Sequence, residues 1–252
     1  MCTLAFAYKV HPDYPMVFIG NRDEFYNRLT QNAEMWNGVL SGIDLEKGGT
    51  WTGISQSGRM AFLTNYRDFS KHVENPESRG FLTKDFLTGD MQPEDYLSKI
   101  TLQKSRYNPF NLVVGDLDKL YYYSNISDKI VRLEPGIYGL SNALLDEAWP
   151  KVKRIKNDLT IALNGPSLDV DMLFKVLENQ ELAKEEDLPN TGIDFELEKS
   201  LSSIFIELET YGTRHETVIT IHRSGQVAFY EKTKSSSRTW QLNKFKFNIN
   251  GG

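Results

Sequence analysis

Thr3-Leu4-Ala5-Phe6-Ala7-Tyr8, then His11-Pro12-Asp13-Tyr14-Pro15, then Met16-Val17-Phe18-Ile19 is the stretch whose reading decides the fold. Two short apolar runs flank a segment holding two prolines and an aspartate. That pattern predicts an opening β-hairpin. The second run leads directly into a polar cluster, Asn21-Arg22-Asp23-Glu24. If the strand continues through this cluster, neighbouring side chains alternate between faces, and Arg22 and Asp23 then point to opposite sides.

Working outward, further strands are expected over residues 36–43, 50–55 and 60–64, with Gly48-Gly49 and Gly58 as punctuation. A second polar cluster, Asn65-Tyr66-Arg67-Asp68, follows the last of them. From residue 78 to about 104 the apolar spacing turns helical, with Pro93-Glu94-Asp95 suited to a first helical turn. Strands return over 111–115, 120–124, 130–133 and 137–140, and helices over 150–163 and 168–177. Residues 178–194 are polar and acidic and are expected to form a surface loop. A final hairpin joins 217–222 to 227–232 through Arg223-Ser224-Gly225-Gln226. The stretch 234–238 is polar, and 240–249 adds a candidate edge strand. Runs of strands separated by helix pairs predict antiparallel sheets with helices outside, not alternating βαβ units. No repeat, low-complexity segment or linker interrupts the chain, so residues 1–252 are expected to form a single α+β domain.

Composition narrows the function. The 252 residues are 40% hydrophobic and 25% charged, enough for a substantial core. A net charge of −5 without a clustered basic face gives no footprint for nucleic acid. One cysteine excludes a disulfide framework within the chain. The opening apolar run is short and lacks a preceding basic segment, and no stretch approaches a membrane span. Cytoplasmic residence is the expectation.

Cys2 is the first candidate for chemistry. A small residue after Met1 lets methionine aminopeptidase act, and the mature chain would then begin with a thiol and a free α-amine on one residue. That amine titrates at about 7.7–8.0, so it can act as general base for its own side chain. Arg22 is a candidate to oppose a thiolate charge. Asn65 and Asn142 carry amides that could donate to an oxyanion. Arg214, in Tyr211-Gly212-Thr213-Arg214, could bind a carboxylate or support the nucleophile. The histidines His11, His72, His215 and His222 lack metal-ligand spacing, and Gly48-Gly49-Thr50 lacks the lysine of a phosphate loop.

Together, Met1-Cys2-Thr3-Leu4, Asn21-Arg22-Asp23-Glu24, Gly49-Thr50-Trp51, Thr64-Asn65-Tyr66-Arg67, Gly139-Leu140-Ser141-Asn142 and Tyr211-Gly212-Thr213-Arg214 resemble the NRDE family, which includes the transport and Golgi organisation protein 2 homologues. That family in turn resembles the N-terminal nucleophile (Ntn) hydrolases of the penicillin V acylase and bile salt hydrolase type. The resemblance implies a four-layer αββα sandwich with two mainly antiparallel sheets. It implies a cysteine hydrolase of non-peptide C–N bonds in a small molecule. Cys2 would attack, Arg22 hold the thiolate, Asp23 the amine, Asn65 and Asn142 would stabilise the oxyanion or position the amine, and Arg214 would complete the pocket. Glu24, Trp51, Tyr66 and Arg67, in the same motifs, would contact substrate. The acylases space their pair as Arg-Asn-x-Asp, whereas Arg22 and Asp23 are adjacent, which leaves both Asp23 and Glu24 open for the carboxylate role. Hydrolysis of this kind requires no cofactor and no metal. The family resemblance also implies an alternative, non-catalytic binding and trafficking of haem, a lipid or acyl-CoA.

Overall fold

The computed structural model describes residues 2–235 and 239–249. By chain contacts it divides into two compact units. The first comprises residues 1–28 and 135–246, the second residues 29–134 and 247–252.

The first unit is built on a six-stranded sheet of order β10-β1-β2-β11-β12-β13. Its strands are β1 (Cys2–Tyr8), β2 (Met16–Phe25), β10 (Gly136–Leu140), β11 (Tyr211–Ile221), β12 (Gln226–Lys234) and β13 (Trp240–Asn248). The opening hairpin forms as expected, closed by the Lys9 amide donating to the Pro15 carbonyl at 2.8 Å. Residues 240–248 form the edge strand the sequence suggested. The expected strand at 16–19 is longer than its apolar run. It continues through Asn21-Arg22-Asp23-Glu24, because β11 supplies partners to its end at Phe25.

Alternation along these strands sorts the side chains. Ala5, Ala7, Val17, Ile19 and Val218 face two helices, α3 (Pro150–Leu163) and α4 (Val170–Leu177), and pack on Ile155, Leu159, Leu173, Phe174 and Leu177. The opposite set, including Leu4, Phe6, Phe18, Ile219 and Phe229, is also buried. A sheet with both faces covered explains why β1 and β2 read as continuous apolar runs instead of alternating ones. Each fully buried Phe or Ile here is worth about 1.5–3 kcal/mol.

The second unit is a seven-stranded meander in chain order: β3 (Thr30–Trp36), β4 (Val39–Asp44), β5 (Thr52–Ser55), β6 (Met60–Asn65), β7 (Phe110–Gly115), β8 (Leu120–Ser124) and β9 (Lys129–Arg132). Helices α1 (Gly80–Thr88) and α2 (Pro93–Thr101) cover it through Leu82, Phe86, Leu97 and Ile100. The sequence suggested one strand over 36–43. The structure has a hairpin there, turning at Asn37 (φ 48°) and Gly38 (φ 75°). Two left-handed residues in succession are what a two-residue hairpin turn needs, and Asn-Gly supplies them. The acidic loop at 178–194 is followed by a short helix, α5 (Phe195–Ser200), capped by Asp194 accepting from the Glu196 and Leu197 amides. Every strand pair with a described register is antiparallel, as expected. No helix among the described residues is long and apolar enough to cross a membrane.

One buried acid tests this packing. Glu216 of β11 is 1% exposed, with Oε2 3.7 Å from Lys232 Nζ, which also binds Glu178 Oε1 at 2.5 Å. Burial pushes the Glu216 carboxyl up to about 7; Lys232 opposes the rise and Glu178 adds to it. A raised folded-state pKa means that stability is greatest below the unfolded value near 4.5 and falls as pH rises to about 7. The full loss is roughly 3 kcal/mol. Denaturant unfolding between pH 4.5 and 8 should therefore show E216Q gaining on the wild type as pH rises. Parallel curves for the two proteins would contradict the burial of a charged Glu216.

Candidate functional site

The register of the first sheet places the motif residues. Cys2, the first residue of β1, lies directly opposite Arg22 of β2. Paired residues in an antiparallel ladder share a face, with Cβ atoms about 4.5–5.5 Å apart. Cys2 is half-buried and Arg22 is buried. On the other side of Cys2, β10 pairs with β1 up to Leu4 opposite Leu140. Asn142, buried, lies two residues past the end of β10. Ser141 ties the two chains together: its Oγ donates to the Cys2 carbonyl at 3.1 Å and lies 3.2 Å from Thr3 Oγ1.

Asn21-Arg22-Asp23-Glu24 divides between the two faces of β2. Asn21 points toward the helices, where its Nδ2 donates to the carbonyls of Leu177 (2.8 Å) and Ile204 (3.0 Å). This is a structural clamp on the end of α4 and the loop at Ile204. Asp23 shares that face and is 1% exposed, accepting from Thr213 Oγ1 at 2.8 Å. Burial raises the Asp23 carboxyl pKa, with Lys151 and the Thr213 hydrogen bond among the opposing influences. Arg22 and Glu24 share the other face. Glu24 Oε2 lies 3.8 Å from Arg22 Nη2 and 3.7 Å from Arg28 Nε. Glu24 thus contacts the arginine, and Asp23 lies across the strand from it.

Arg214 is buried, not a loop surface residue. It is the extra residue of a β-bulge, since Thr213 pairs with Asp23 while His215 pairs with Arg22. Its Nη1 donates to the carbonyls of Phe25 (3.2 Å) and Arg28. These bonds fix the segment that leaves β2. The bulge brings in a residue that the sequence reading set aside: His215 is wholly buried beside Arg22. Its spacing to the other histidines gives no metal-ligand pattern that would single it out in the sequence. The alternation of Thr217, Ile219 and Ile221 after it was the signal that could have placed it on a sheet face.

The remaining candidates belong to the second unit. Asn65 ends β6 opposite Phe110, and the Tyr66 amide donates to the Pro109 carbonyl at 3.0 Å. Arg67 and Trp51 are buried. Gly49-Thr50-Trp51 has a packing explanation: a Cβ on Gly49 would come within 2.5 Å of the Gly80 backbone, and the Thr50 amide donates to the Gly80 carbonyl at 3.1 Å.

Electrostatics decide what Cys2 can do at rest. Burial raises the thiol pKa, Arg22 pulls it down, and Asp23 and Glu24 push it up. The net direction is upward, so the resting thiol is protonated and attack requires a base. Among the described residues no group of three or more His, Cys, Asp or Glu side chains is placed to hold a metal.

With this geometry in hand, the chain can be compared with known proteins. The mouse "Transport and Golgi organization 2 homolog" is 34% identical over 276 residues, covering 99% of each chain. The bovine "Transport and Golgi organization protein 2 homolog" is 35% identical over 279 residues with the same coverage. Among solved structures, a conjugated bile acid hydrolase from Clostridium perfringens superposes with a TM-score of 0.56 over 100% of this chain and 94% of that one, at 12% identity. A likeness at that identity shows the fold alone, and it is the fold expected of the hydrolases that the sequence resembles. The Transport and Golgi organisation 2 family model matches residues 1–236, and the chain belongs to that family.

Proposed function

We propose that the protein is an N-terminal-nucleophile cysteine amidohydrolase acting on a non-peptide C–N bond of a small molecule, with Cys2 as nucleophile after removal of Met1. The observation that carries this reading is the cross-strand pair of Cys2 and Arg22, with Ser141 donating to the Cys2 carbonyl just ahead of the buried Asn142. The likeness in fold to a conjugated bile acid hydrolase, solved as its C2A mutant, supports it.

The steps follow from the protonated resting thiol. The α-amine of Cys2 takes the thiol proton as Sγ attacks the substrate carbonyl carbon. Arg22 offsets the negative charge on sulfur, and the Asn142 amide donates to the oxyanion. The C–N bond breaks as the ammonium returns the proton to the leaving nitrogen, leaving a thioester on Cys2. Water, deprotonated by the same amine, cleaves the thioester, releases the acid and restores the thiol. Asp23 orients the amine from the other face of β2. In a regular strand, residues one apart and three apart both lie on opposite faces. The adjacent Arg22 and Asp23 therefore serve two faces, as an Arg-Asn-x-Asp spacing does. The lone cysteine suits a reducing compartment, and we place this chemistry in the cytoplasm.

A fluorophosphonate-free acyl probe with a thiol-reactive group provides the test. Met1-processed wild type should be labelled at Cys2, and C2A and C2S should lose labelling and all turnover. Labelling elsewhere with Cys2 untouched would remove the nucleophile from the account.

A second reading, haem binding, is favoured by a different observation. A cavity of about 610 Å³ in the first unit is lined by His11, Tyr14 and His222. Both imidazoles stand edge-on to Tyr14, at 5.3 and 5.4 Å between centroids. His11 Nδ1 accepts from the Asp13 and Tyr14 amides, and His222 Nδ1 from the Ser224 amide. Nε2 of each ring is then the nitrogen that would hold an iron, and the residues fit a haem. Bound haem would make the protein a carrier, with iron held by one imidazole. Titration of haem into wild type should red-shift the Soret band, and an H11A/H222A double variant should abolish the shift. An unchanged spectrum at micromolar protein would contradict the carrier reading.

A further inference from the structure

The bulge at Arg214 has a specific electrostatic consequence. Thr213 pairs with Asp23, so an unbroken ladder would set Arg214 opposite Arg22, two guanidinium groups face to face. Instead Arg214 is displaced to the carbonyls of Phe25 and Arg28, and His215 takes the place beside Arg22. Arg22 is thereby flanked on one face of the sheet by Cys2 from β1 and His215 from β11. The row continues to Thr233 of β12, opposite His215, whose Oγ1 donates to Glu231 Oε1 at 3.2 Å. His215 is wholly buried, and Thr233 and Glu231 are buried.

We propose that His215 is a positioning residue for Cys2: a neutral imidazole that flanks Arg22 and leaves the guanidinium charge directed at the sulfur. This rests on the Cys2 reading above and deepens it. A carboxylate in the same place would pair with Arg22 through two parallel hydrogen bonds and cancel its charge. A cation would repel it. The charged and titratable groups facing His215 are Arg22 on β2, Arg214 on its own strand and Glu231 on β12, with Cys2 beyond Arg22. Burial, with Arg22 and Arg214 adding to it, holds the imidazole well below its usual pKa, so it stays uncharged through the range in which Cys2 titrates. Glu24, one carboxylate beside Arg22, is partly buried, stands at 3.8 Å and is shared with Arg28. It therefore leaves most of the charge in place.

The test is the pH dependence of Cys2 alkylation by iodoacetamide, which reads the thiol without a substrate. H215E should move the midpoint upward by about one pH unit, as R22M does, whereas H215Q, uncharged, should keep the wild-type midpoint. A shift in R22M with none in H215E would overturn the role of His215 and spare the Cys2 reading. No shift in R22M would overturn both. Should H215E fail to fold, the wild type decides: the His215 ring nitrogens, followed by ¹⁵N NMR, should report a neutral imidazole at pH 5.5. An imidazolium forming near pH 6.5, the ordinary value, would overturn the proposal.

Discussion

Three strands distant in sequence, β1, β2 and β11, hydrogen-bond in one register, and that register is the constraint on which the rest depends. It sets Cys2, Arg22 and His215 in a row on one face of the first sheet. A slip by one residue would send each of these side chains to the other face. Two features pin it. Asn21 bonds the carbonyls of Leu177 in α4 and of Ile204, and Arg214 bonds the carbonyls of Phe25 and Arg28 at and just past the end of β2. Both belong to sequence motifs that look catalytic, yet their bonds are to backbone.

The electrostatics at the start of β1 are a contest, not a simple activation. Burial of the thiol outweighs the pull of Arg22, and the acids Asp23 and Glu24 add to burial. A thiolate poised at rest is therefore not what this arrangement makes. It makes a protonated thiol beside a positive charge, a state that reacts only when a base removes the proton. Under the proposed mechanism an α-amine on the same residue supplies that base, so the reading depends on removal of Met1.

Much of the fold was legible because its strands are long apolar runs with proline, glycine or Asn-Gly between them. The opening hairpin as far as Ile19, the helix at 150–163 and the final hairpin all followed from local chemistry. What escaped was set by partners far away in sequence. Asn21-Arg22-Asp23-Glu24 looks like a charged turn, and only pairing with β11 keeps it in a strand. Asn37-Gly38 carried a turn signal, but the apolar residues on either side masked it. Cys2, Arg22, Asp23 and Asn142 were visible as candidates through their motifs. The bulge that exchanges Arg214 for His215 was not, because a bulge is a property of the ladder and not of one strand's composition. Asn65, Trp51, Tyr66 and Arg67 fall in the second unit. The removal of Met1 and the polar stretch at 236–238 lie outside the described residues.

The central claim is that the working chain begins at Cys2, with a free amine beside the thiol and Arg22 across the ladder. The intact mass of protein purified from its native host tests this most directly. The account predicts a mass short of the encoded chain by one methionine, with the new terminus unblocked. A chain that retains Met1, or whose amine is acetylated, would contradict it, since no base would then stand beside the sulfur.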